Sequence, residues 1–550
     1  MRPKVSFQNW KFLRKPLTTK MHPDQEPRFS SIKMKNLSLQ TNTSSILHLH
    51  ENWTMASESI LHFLLIPLLA PGHTIPMIDI AKLLAQRSNV KVTIVTTPIN
   101  AIRYIPTLQD HINSGLPVRF LELPFPAAEA GLPEGCESAD ALPGLHLLPN
   151  FSVAVDMLQE RLEQRFDSLE PRPSCIISDK YMLWTADTAI KYQIPRIIFD
   201  GMSCFKQVCT HYLYASKVLD DLSDSEPFLL PGLPDRIEIT RAQLPPEFNP
   251  SPFASPEHLE KVREIESKAS LNYGIVINSF EELEQEYVHE LKKLKGGKVW
   301  CLGPLSLSNN NDLSKTLRGN STSSIDDHQC LKFLDSKKPK SVIYACFGSS
   351  SQVIPAQLIE LGLGLEGSNH PFIWVIRAGD RAKELEEWMT QNGFEERIKN
   401  RGLIIREWAP QLLILSHPSI GGFLTHCGWN SILEGVSAGI PLITWPQFAE
   451  QFLNEKLVVD VLRIGVSVGA KVMVHWGEED RFGVTVKSEE VKKAIEKVMD
   501  DAIEGNERRK RVKELGMKAN NAIEDGGSSY LNLSLLIHDV TQLAKIKLNF

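Results

Sequence analysis

The chain has 550 residues, of which 42% are hydrophobic and 23% are charged, and its formal net charge is −6. This composition is typical of an ordinary soluble globular protein, and the length predicts two to four domains at about 150 residues each. The slightly acidic balance provides no basic surface for a polyanion, so nucleic acid is excluded as a partner.

The cysteines and the apolar runs exclude two further classes of protein. The eight cysteines include no Cys-x-x-Cys pair, so we expect neither a disulfide framework nor a zinc site, and a reducing cytoplasm fits best. The longest apolar run near the start, Ile60–Ala70, is interrupted by His62 and Pro67 and is far shorter than the roughly 20 residues of a membrane-spanning helix. We therefore expect a cytoplasmic protein with no transmembrane segment, and a buried strand at this run.

Residues 1–54 differ from the rest of the chain. They contain few acidic residues and show no apolar periodicity. Three interpretations remain open: a translated upstream segment with Met55 as the working start, an organelle transit peptide, or a disordered tail. The first is preferred, and in each case this extension lies outside the folded domains.

From Ser59 onward, short β-branched runs alternate with helical stretches. Six strands are predicted, at Leu61–Pro67, Lys91–Thr96, Val118–Leu123, Cys175–Ser178, Arg196–Phe199 and Ile275–Asn278. Helical patterns between them include Ile75–Gln86, Phe151–Ser168 and Trp184–Lys191. This alternation is typical of a parallel sheet with helices on both faces, which we assign to a first domain, residues 55–305.

A second domain follows a polar segment. The composition shifts to Ser, Asn, Thr and Gly around residues 306–324, which indicates a linker or flexible loop over residues 306–340. The alternation resumes over residues 341–525, with strands predicted at Ser341–Phe347, Phe372–Ile376, Gly402–Ile405, Gly422–Leu424 and Pro441–Thr444. Residues 526–550 are predicted to form a helix that packs back on the first domain. The fold class is therefore α/β, with two doubly wound Rossmann-like domains that face each other across a cleft.

One glycine motif is set aside. Gly362, Gly364 and Gly367 match the Gly-x-Gly-x-x-Gly pattern of dinucleotide-binding proteins. That pattern binds a pyrophosphate only in the turn from a strand into a helix. Here it lies at the end of a predicted helix that starts near Pro355, so we interpret it as a helix end rich in small residues.

A block from Trp408 to Gln451 contains the strongest functional signal. It begins WAPQ, contains THCGWNS and ends WPQFAEQ. A predicted strand leads into a predicted helix at Asn430–Ala438, so Asn430 and Ser431 lie at a helix N-terminus, where N–H groups and the helix dipole favour an anion. Gly428 allows close approach of a diphosphate to the backbone.

Other residues of the block match the remaining parts of a nucleotide sugar. Glu434 lies on the same helix face as Asn430, placed to accept from the two vicinal hydroxyls of a ribose. Trp408 presents a flat face for a base. Glu450 and Gln451 begin the next helix at the same sheet edge and offer groups for sugar hydroxyls. Each residue alone has an ordinary structural explanation, and their joint placement along one edge indicates a nucleotide-sugar site.

This block resembles the signature of the plant secondary-product UDP-glycosyltransferases, the family 1 glycosyltransferases, in its length, its first Trp, its HCGWNS core and its final Gln. The resemblance extends from about Ser59 to the C-terminus and implies the two-domain GT-B fold with UDP-glucose as co-substrate. It also implies a set of donor contacts: Trp408 and Ala409 for uracil; Gln411 and Glu434 for ribose; Ser349, His426, Asn430 and Ser431 for the diphosphate; Trp429, Glu450 and Gln451 for the sugar. In this family a final Gln tends to accompany glucose, and Glu450 stands where relatives often have Asp.

A candidate catalytic pair lies in the first domain. His73 follows the first strand and Asp179 follows the fourth, and these strands are neighbours in a sheet of order 3-2-1-4-5. A carboxylate beside an imidazole can orient it as a general base. Spacing alone also permits a turn histidine and a helix-capping Asp; the resemblance favours catalysis, because both positions match the family's catalytic His and its partner. The expected reaction is a single-step displacement with inversion, without a cofactor, and no Asp-x-Asp metal site is seen.

The acceptor is less well determined than the donor. The nearest resemblance is to enzymes acting on flavonoids, terpenoid or steroid alcohols and phenolics, so we expect a small hydrophobic hydroxylated acceptor and a monomeric enzyme. Residues that are candidates to line its pocket are Phe125, Phe151, Tyr181, Met182, Met202 and Phe205. Two departures from the family pattern, Pro71 and the segment Lys180–Trp184, flank this side.

Competing functions remain open at this stage. They are a UDP-sugar hydrolase or epimerase and a non-catalytic UDP-sugar-binding protein. A nicotinamide oxidoreductase is disfavoured by the position of the glycine motif.

Overall fold

The computed structural model describes residues 60–220, 222–251, 260–261, 264–265, 267–268, 271–309, 312–318, 327–348, 352–377, 382–475 and 477–548. They belong to one compact unit, Ser59–Phe550. The extension at residues 1–54 lies outside the described residues. Within the described ranges, no helix is both long and apolar enough to cross a membrane.

The first half contains a seven-stranded parallel sheet of order β3-β2-β1-β4-β5-β8-β9. Its strands are β1 Leu61–Ile66, β2 Val90–Thr96, β3 Val118–Glu122, β4 Cys175–Asp179, β5 Arg196–Asp200, β8 Gly274–Ile277 and β9 Val299–Cys301; β6 Pro227–Leu229 and β7 Glu238–Thr240 form a separate antiparallel pair. The predicted order 3-2-1-4-5 is confirmed. Strand β9 was missed, because three residues are too few to show a period.

The second half contains a six-stranded parallel sheet of order β12-β11-β10-β13-β14-β15. Its strands are β10 Val342–Cys346, β11 Phe372–Ile376, β12 Gly402–Arg406, β13 Ile420–Thr425, β14 Leu442–Thr444 and β15 Gly465–Ser467. Most of these strands are fully buried, as expected of strands covered by helices on both faces. Two doubly wound Rossmann-like halves, each built on a parallel sheet, are thus confirmed.

Helices connect these strands. In the first half they are α1 Pro71–Ala85, α2 Pro98–Asn113, α3 Leu148–Asp156, α4 Leu158–Phe166, α5 Thr185–Lys191, α6 Cys204–Ala215 and α7 Gln285–Leu294. Between and within the second half they are α8 Asp312–Leu317, α9 Asp327–Asp335, α10 Pro355–Gly367, α11 Ala382–Gln391, α12 Phe394–Ile398, α13 Gln411–Leu415, α14 Trp429–Ser437, α15 Gln451–Lys456, α16 Glu479–Phe482, α17 Ser488–Met499, α18 Ile503–Ile523 and α19 Ser528–Leu548.

Two helical predictions differ in detail from the structure. The single pattern Phe151–Ser168 is two helices, α3 and α4, that meet at Met157. The sequence concealed the break because buried residues continue at helical spacing across it. The segment at residues 306–340 contains α8 and α9 in its described part, where a loop was predicted. Cys330 and Leu334 of α9 are buried in the core, and such isolated apolar anchors are hard to detect in a polar stretch.

The C-terminal helix α19 packs on the first half. Leu533, Leu536 and Val540 join the core beside β1 and α1. Lys298 Nζ lies 2.6 Å from Asp539 Oδ2, which adds an ion pair to this contact. The final helix therefore returns the chain to the first half.

The glycines of the Gly-x-Gly-x-x-Gly motif lie in α10, before β11. A Cβ at Gly362 would press on the Trp374 ring, and one at Gly364 would collide with Val491. These glycines permit close packing of α10, in agreement with the structural interpretation.

Candidate active site

The carboxyl ends of β1 and β4 lie side by side, because the two strands pair directly with Ile66 opposite Ser178. Pro71 takes one of the first positions of α1, where its fixed φ suits a helix start. His73 lies in the first turn of α1 and Asp179 ends β4. His73 Nδ1 is 2.7 Å from Asp179 Oδ2, so the structure brings the predicted pair together.

The surroundings of this pair orient the imidazole. Asp179 is 1% exposed, and its Oδ1 accepts a hydrogen bond of 3.0 Å from the Tyr181 amide. Burial lowers the pKa of His73, but the charge and hydrogen bond of Asp179 outweigh burial and raise that pKa above its ordinary value. Because Nδ1–H donates to Asp179, Nε2 remains the proton acceptor of the neutral ring.

The first turn of α14 contacts the first half directly. Trp429 is 3% exposed, and its indole N–H donates to the Asn278 carbonyl at 2.7 Å. Asn430 Nδ2 donates to the Gly72 carbonyl at 2.8 Å, and Asn430 Oδ1 accepts from Asn278 Nδ2 at 3.1 Å. The helix N-terminus expected at the diphosphate is therefore bonded to the residue that precedes His73.

Glu434 is buried in α14, and both of its carboxylate oxygens accept hydrogen bonds. Gln411 Nε2 donates to Oε2 at 2.6 Å, and an Arg318 N–H donates to Oε1. Gln411 Nε2 also lies 3.3 Å from Ser431 Oγ, and Gln411 Oε1 accepts from Tyr344 at 3.2 Å. The two residues expected at the ribose thus contact each other, with Ser431 beside them.

Trp408 lies in the loop between β12 and α13. It is partly exposed, and the Arg377 guanidinium lies 5.6 Å from its ring centroid. The next residue, Ala409, is buried, and its carbonyl accepts from the Gln411 amide at 2.8 Å. A ring at this position, with a cation over it, provides a stacking surface at the edge of the second sheet.

His426 directly follows β13, and its ring packs between Gly348 and Gly428. A Cβ at either glycine would collide with the imidazole, and Gly348 also has a φ of +74°. Burial lowers the pKa of His426 to about 4, so the ring is neutral near pH 7 and carries one N–H donor. Ser349, also expected at the diphosphate, lies outside the described residues.

Glu450 and Gln451 are buried where α15 begins. Gln451 Oε1 accepts from the amides of Gln447 at 2.8 Å and Phe448 at 3.1 Å. Because both of these groups are donors, the side-chain oxygen of Gln451 must face them, and its Nε2 faces away from the two amides. Glu450 Oε1 accepts from Asn454 at 3.3 Å, and burial raises the pKa of Glu450 above its ordinary value.

The residues expected around the acceptor divide into two groups. Phe125, Tyr181 and Met202 are partly exposed, and the Tyr181 ring stands edge-on to His73 with 5.8 Å between centroids. The other three are buried in the hydrophobic core: Phe151, Met182 and Phe205. Sequence alone does not separate these groups, because the residues of both groups are apolar or aromatic.

Comparison with known proteins identifies the family. A family model described as "UDP-glucoronosyl and UDP-glucosyl transferase" matches residues 300–509. UDP-glycosyltransferase 73C6 of Arabidopsis thaliana is 50% identical over 487 residues, covering 88% of this chain and 97% of that protein. UDP-glycosyltransferase 73C11 of Barbarea vulgaris is also 50% identical over 487 residues with the same coverage. The chain belongs to the plant family 1 UDP-glycosyltransferases.

A solved structure supports the same assignment. Glycyrrhiza uralensis UGT73P12, complexed with glycyrrhetinic acid 3-O-monoglucuronide, superposes with a TM-score of 0.81 at 39% identity, covering 89% of this chain and 98% of that chain. The protein is thus a glycosyltransferase of GT-B fold, and its donor is a UDP-sugar.

The structure of this UDP-glycosyltransferase also reveals polar residues that sequence reasoning missed. Beside Asp179, Lys180 Nζ lies 3.2 Å from Asp200 Oδ2 at the end of β5. Nearby, Lys206 Nζ lies 3.2 Å from Glu247 Oε1. One signal was available for the first pair: Asp200 ends the strand next to Asp179, so it shares the carboxyl edge. The pair of Lys206 and Glu247 depends on a loop contact that no sequence motif predicts.

Proposed function

We propose that the enzyme is an inverting UDP-glucose-dependent O-glucosyltransferase that acts on a small hydrophobic hydroxylated acceptor. The observation that carries the proposal is the 2.7 Å contact between His73 Nδ1 and Asp179 Oδ2 at the carboxyl edge of the first sheet. The contact leaves Nε2 as a base and supplies a carboxylate to stabilise the imidazolium that forms when it takes a proton.

In the proposed reaction, His73 Nε2 takes the proton from an acceptor hydroxyl. The acceptor oxygen forms a bond to C1 of glucose while the bond from C1 to the UDP oxygen breaks. Attack from the face opposite the leaving group converts the α-linked donor into a β-glucoside. UDP leaves as the anion, and Asp179 keeps its negative charge while it pairs with protonated His73.

Donor recognition is proposed at the second half. The first turn of α14 and the neutral His426 would donate hydrogen bonds to the diphosphate. Trp408 and Ala409 would contact uracil, and the joined pair of Gln411 and Glu434 would hold the ribose.

The sugar is assigned from the residues at the ends of the block. Gln451 offers its Nε2 amide, and Glu450 and the backbone of Trp429 offer further polar groups. Because the Trp429 ring is buried against Asn278, its backbone is the part left for a ligand. We assign glucose as the transferred sugar from the final Gln.

The acceptor class is inferred from relatives and from the apolar side of the cleft. UGT73P12 of Glycyrrhiza uralensis was solved with glycyrrhetinic acid 3-O-monoglucuronide, and UGT2 of Phytolacca americana with UDP-2fluoro-glucose and pterostilbene. Here Tyr181 stands beside His73, and Phe125 and Met202 are partly exposed on the same half. Terpenoid alcohols and phenols fit such a surface.

We also propose that the enzyme works as a cytoplasmic monomer without a metal. All eight cysteines are buried thiols without disulfides, which suits a reducing compartment. The described residues contain no cluster of three or more His, Cys, Asp or Glu side chains that could hold a metal ion. Transfer should persist in EDTA, and the protein should elute at the mass of one chain in size-exclusion chromatography.

The test is incubation of purified protein with UDP-glucose and a panel of phenols and terpenoid alcohols. We expect products heavier by one hexosyl unit and faster transfer than with UDP-galactose. His73→Ala should abolish transfer while UDP binding survives. His417→Ala is the matched control, because His417 also pairs with a carboxylate, Asp335 at 3.1 Å, but outside the site. Release of UDP and glucose without a glycoside would favour a hydrolase, and full turnover by His73→Ala would overturn the proposed base.

A further inference from the structure

A buried polar cluster joins the two halves beside the proposed ribose position. Asp79 and Lys82 lie on α1, and both are about 1% exposed. Lys82 Nζ donates to Asn309 Oδ1 at 2.8 Å, and Asn309 Nδ2 donates to Asp79 Oδ1 at 3.0 Å. Neither the proposed base nor the donor contacts explain why these charges are buried there.

Arg318 connects this cluster to the donor side. It follows α8, in the segment between the halves, and its side chain is 10% exposed. Its Nε donates to Asp79 Oδ2 at 3.0 Å, while another N–H of the same guanidinium donates to Glu434 Oε1. One planar group therefore bridges a carboxylate of the first half and a carboxylate of the second.

The bridge leaves acceptor capacity on Glu434. A carboxylate has about four lone-pair sites, and Arg318 and Gln411 occupy one on each oxygen. One site on each oxygen remains, which matches two vicinal hydroxyls. Arg318 and Gln411 hold the carboxylate from both sides, so its rotamer is set before a ligand arrives.

We propose that Arg318 is a positioning residue for the donor. It fixes the Glu434 carboxylate for the ribose hydroxyls and ties that carboxylate to Asp79 of the first half. The inference rests on the proposed ribose role of Glu434. Arg318 acts through Glu434 and needs no contact of its own with the nucleotide.

The experiment measures the dissociation constants of UDP and 2′-deoxy-UDP by calorimetry on the full chain. For wild type we expect UDP to bind about tenfold more tightly, because a hydrogen bond to a charged group is lost with the 2′-hydroxyl. In Arg318→Ala, UDP affinity should fall about tenfold and the discrimination should nearly vanish. Arg318→Lys should be intermediate, because a single ammonium does not reproduce the guanidinium fork.

The control is Lys82→Met, which removes a buried cation from the same cluster without touching Glu434. It should keep the discrimination between the two nucleotides. In a Glu434→Gln background, Arg318→Ala should have little further effect on UDP affinity, since the two residues act as one unit. Thermal melts establish that each variant is folded, and Arg318→Gln replaces Arg318→Ala if the alanine variant is not.

Other outcomes would overturn the inference. Tighter UDP binding by Arg318→Ala would show that Arg318 blocks the site. An equal loss for both nucleotides, or no loss, would leave Arg318 with a structural role alone. Wild-type protein that binds UDP without discrimination would contradict the ribose role of Glu434. Failure of wild type to bind UDP at all would instead refute the proposed donor site.

Discussion

Asn430 donates a 2.8 Å hydrogen bond to the carbonyl of Gly72, although the two residues are 358 positions apart in the chain. Gly72 precedes the candidate base, and Asn430 lies in the first turn of the helix assigned to the diphosphate. The contact links the proposed diphosphate-binding helix to the backbone next to the proposed base. A small shift of α14 should therefore also displace His73.

Asp179→Asn tests the orientation of His73. The base is active when neutral, so activity rises with pH through its pKa, which Asp179 raises. The variant should lose about 10²–10⁴-fold in kcat/KM. The acid limb of its pH profile should move to lower pH, because the negative charge that raises the pKa of His73 is gone. The measurement is kcat/KM against pH. Asp335→Asn, which breaks the His417 pair, should behave as wild type; an unmoved limb in Asp179→Asn would contradict the assignment.

Trp429→Phe tests the bond between the halves. It removes the indole donor and leaves the buried Asn278 carbonyl without that partner. Trp374→Phe is the matched control, because Trp374 is fully buried and its indole N–H has no hydrogen-bond partner among the described residues. We expect Trp429→Phe to lower the free energy of unfolding by about 1–3 kcal/mol more than Trp374→Phe does, as measured by urea denaturation. Equal losses would show that the bond contributes nothing.

Lys180→Met tests the ion pair between Lys180, which is largely buried, and the buried Asp200. Burial raises the pKa of Asp200, but Lys180 and Lys206 outweigh burial and lower it. A lowered carboxyl pKa gives stability that is present above the unfolded pKa and is lost as pH falls through the folded pKa. We expect the variant to lose about 3–5 kcal/mol of its free energy of unfolding near pH 7. The loss should be smaller towards pH 4, because the Asp200 carboxyl of the variant, without Lys180, takes a proton there.

Urea denaturation at both pH values measures this difference. The double variant with Asp200→Asn should recover part of the loss, since the unpaired charge is removed. A loss independent of pH would mean that packing, rather than charge, explains the pair.

Gln451→Glu tests the sugar assignment. The new carboxylate can still accept from the amides of Gln447 and Phe448, but the Nε2 donor disappears. We expect KM for UDP-glucose to rise about tenfold, while the dissociation constant of UDP, which lacks the sugar, stays unchanged. A parallel loss of UDP affinity would place Gln451 elsewhere.

Several features of this enzyme followed from its sequence. Apolar runs of strand length and their alternation with helical patterns determined two parallel sheets, because strand and helix periods are local properties. Local order placed His73 and Asp179 directly after strands and Asn430 at a helix start, and the strand order of a doubly wound sheet made those two strands neighbours. The motif from Trp408 to Gln451 indicated the donor class.

Tertiary structure alone decided how the halves meet. Two sets of contacts join residues that are more than 100 positions apart in the chain. Asn278 bonds to Trp429 and Asn430, and Arg318 bridges Asp79 and Glu434. No local pattern encodes them, because a polar side chain looks the same in sequence whether it faces solvent or a distant carboxylate. Packing of the two sheets with their helices selects those partners, since buried polar groups must find hydrogen bonds where the fold places them.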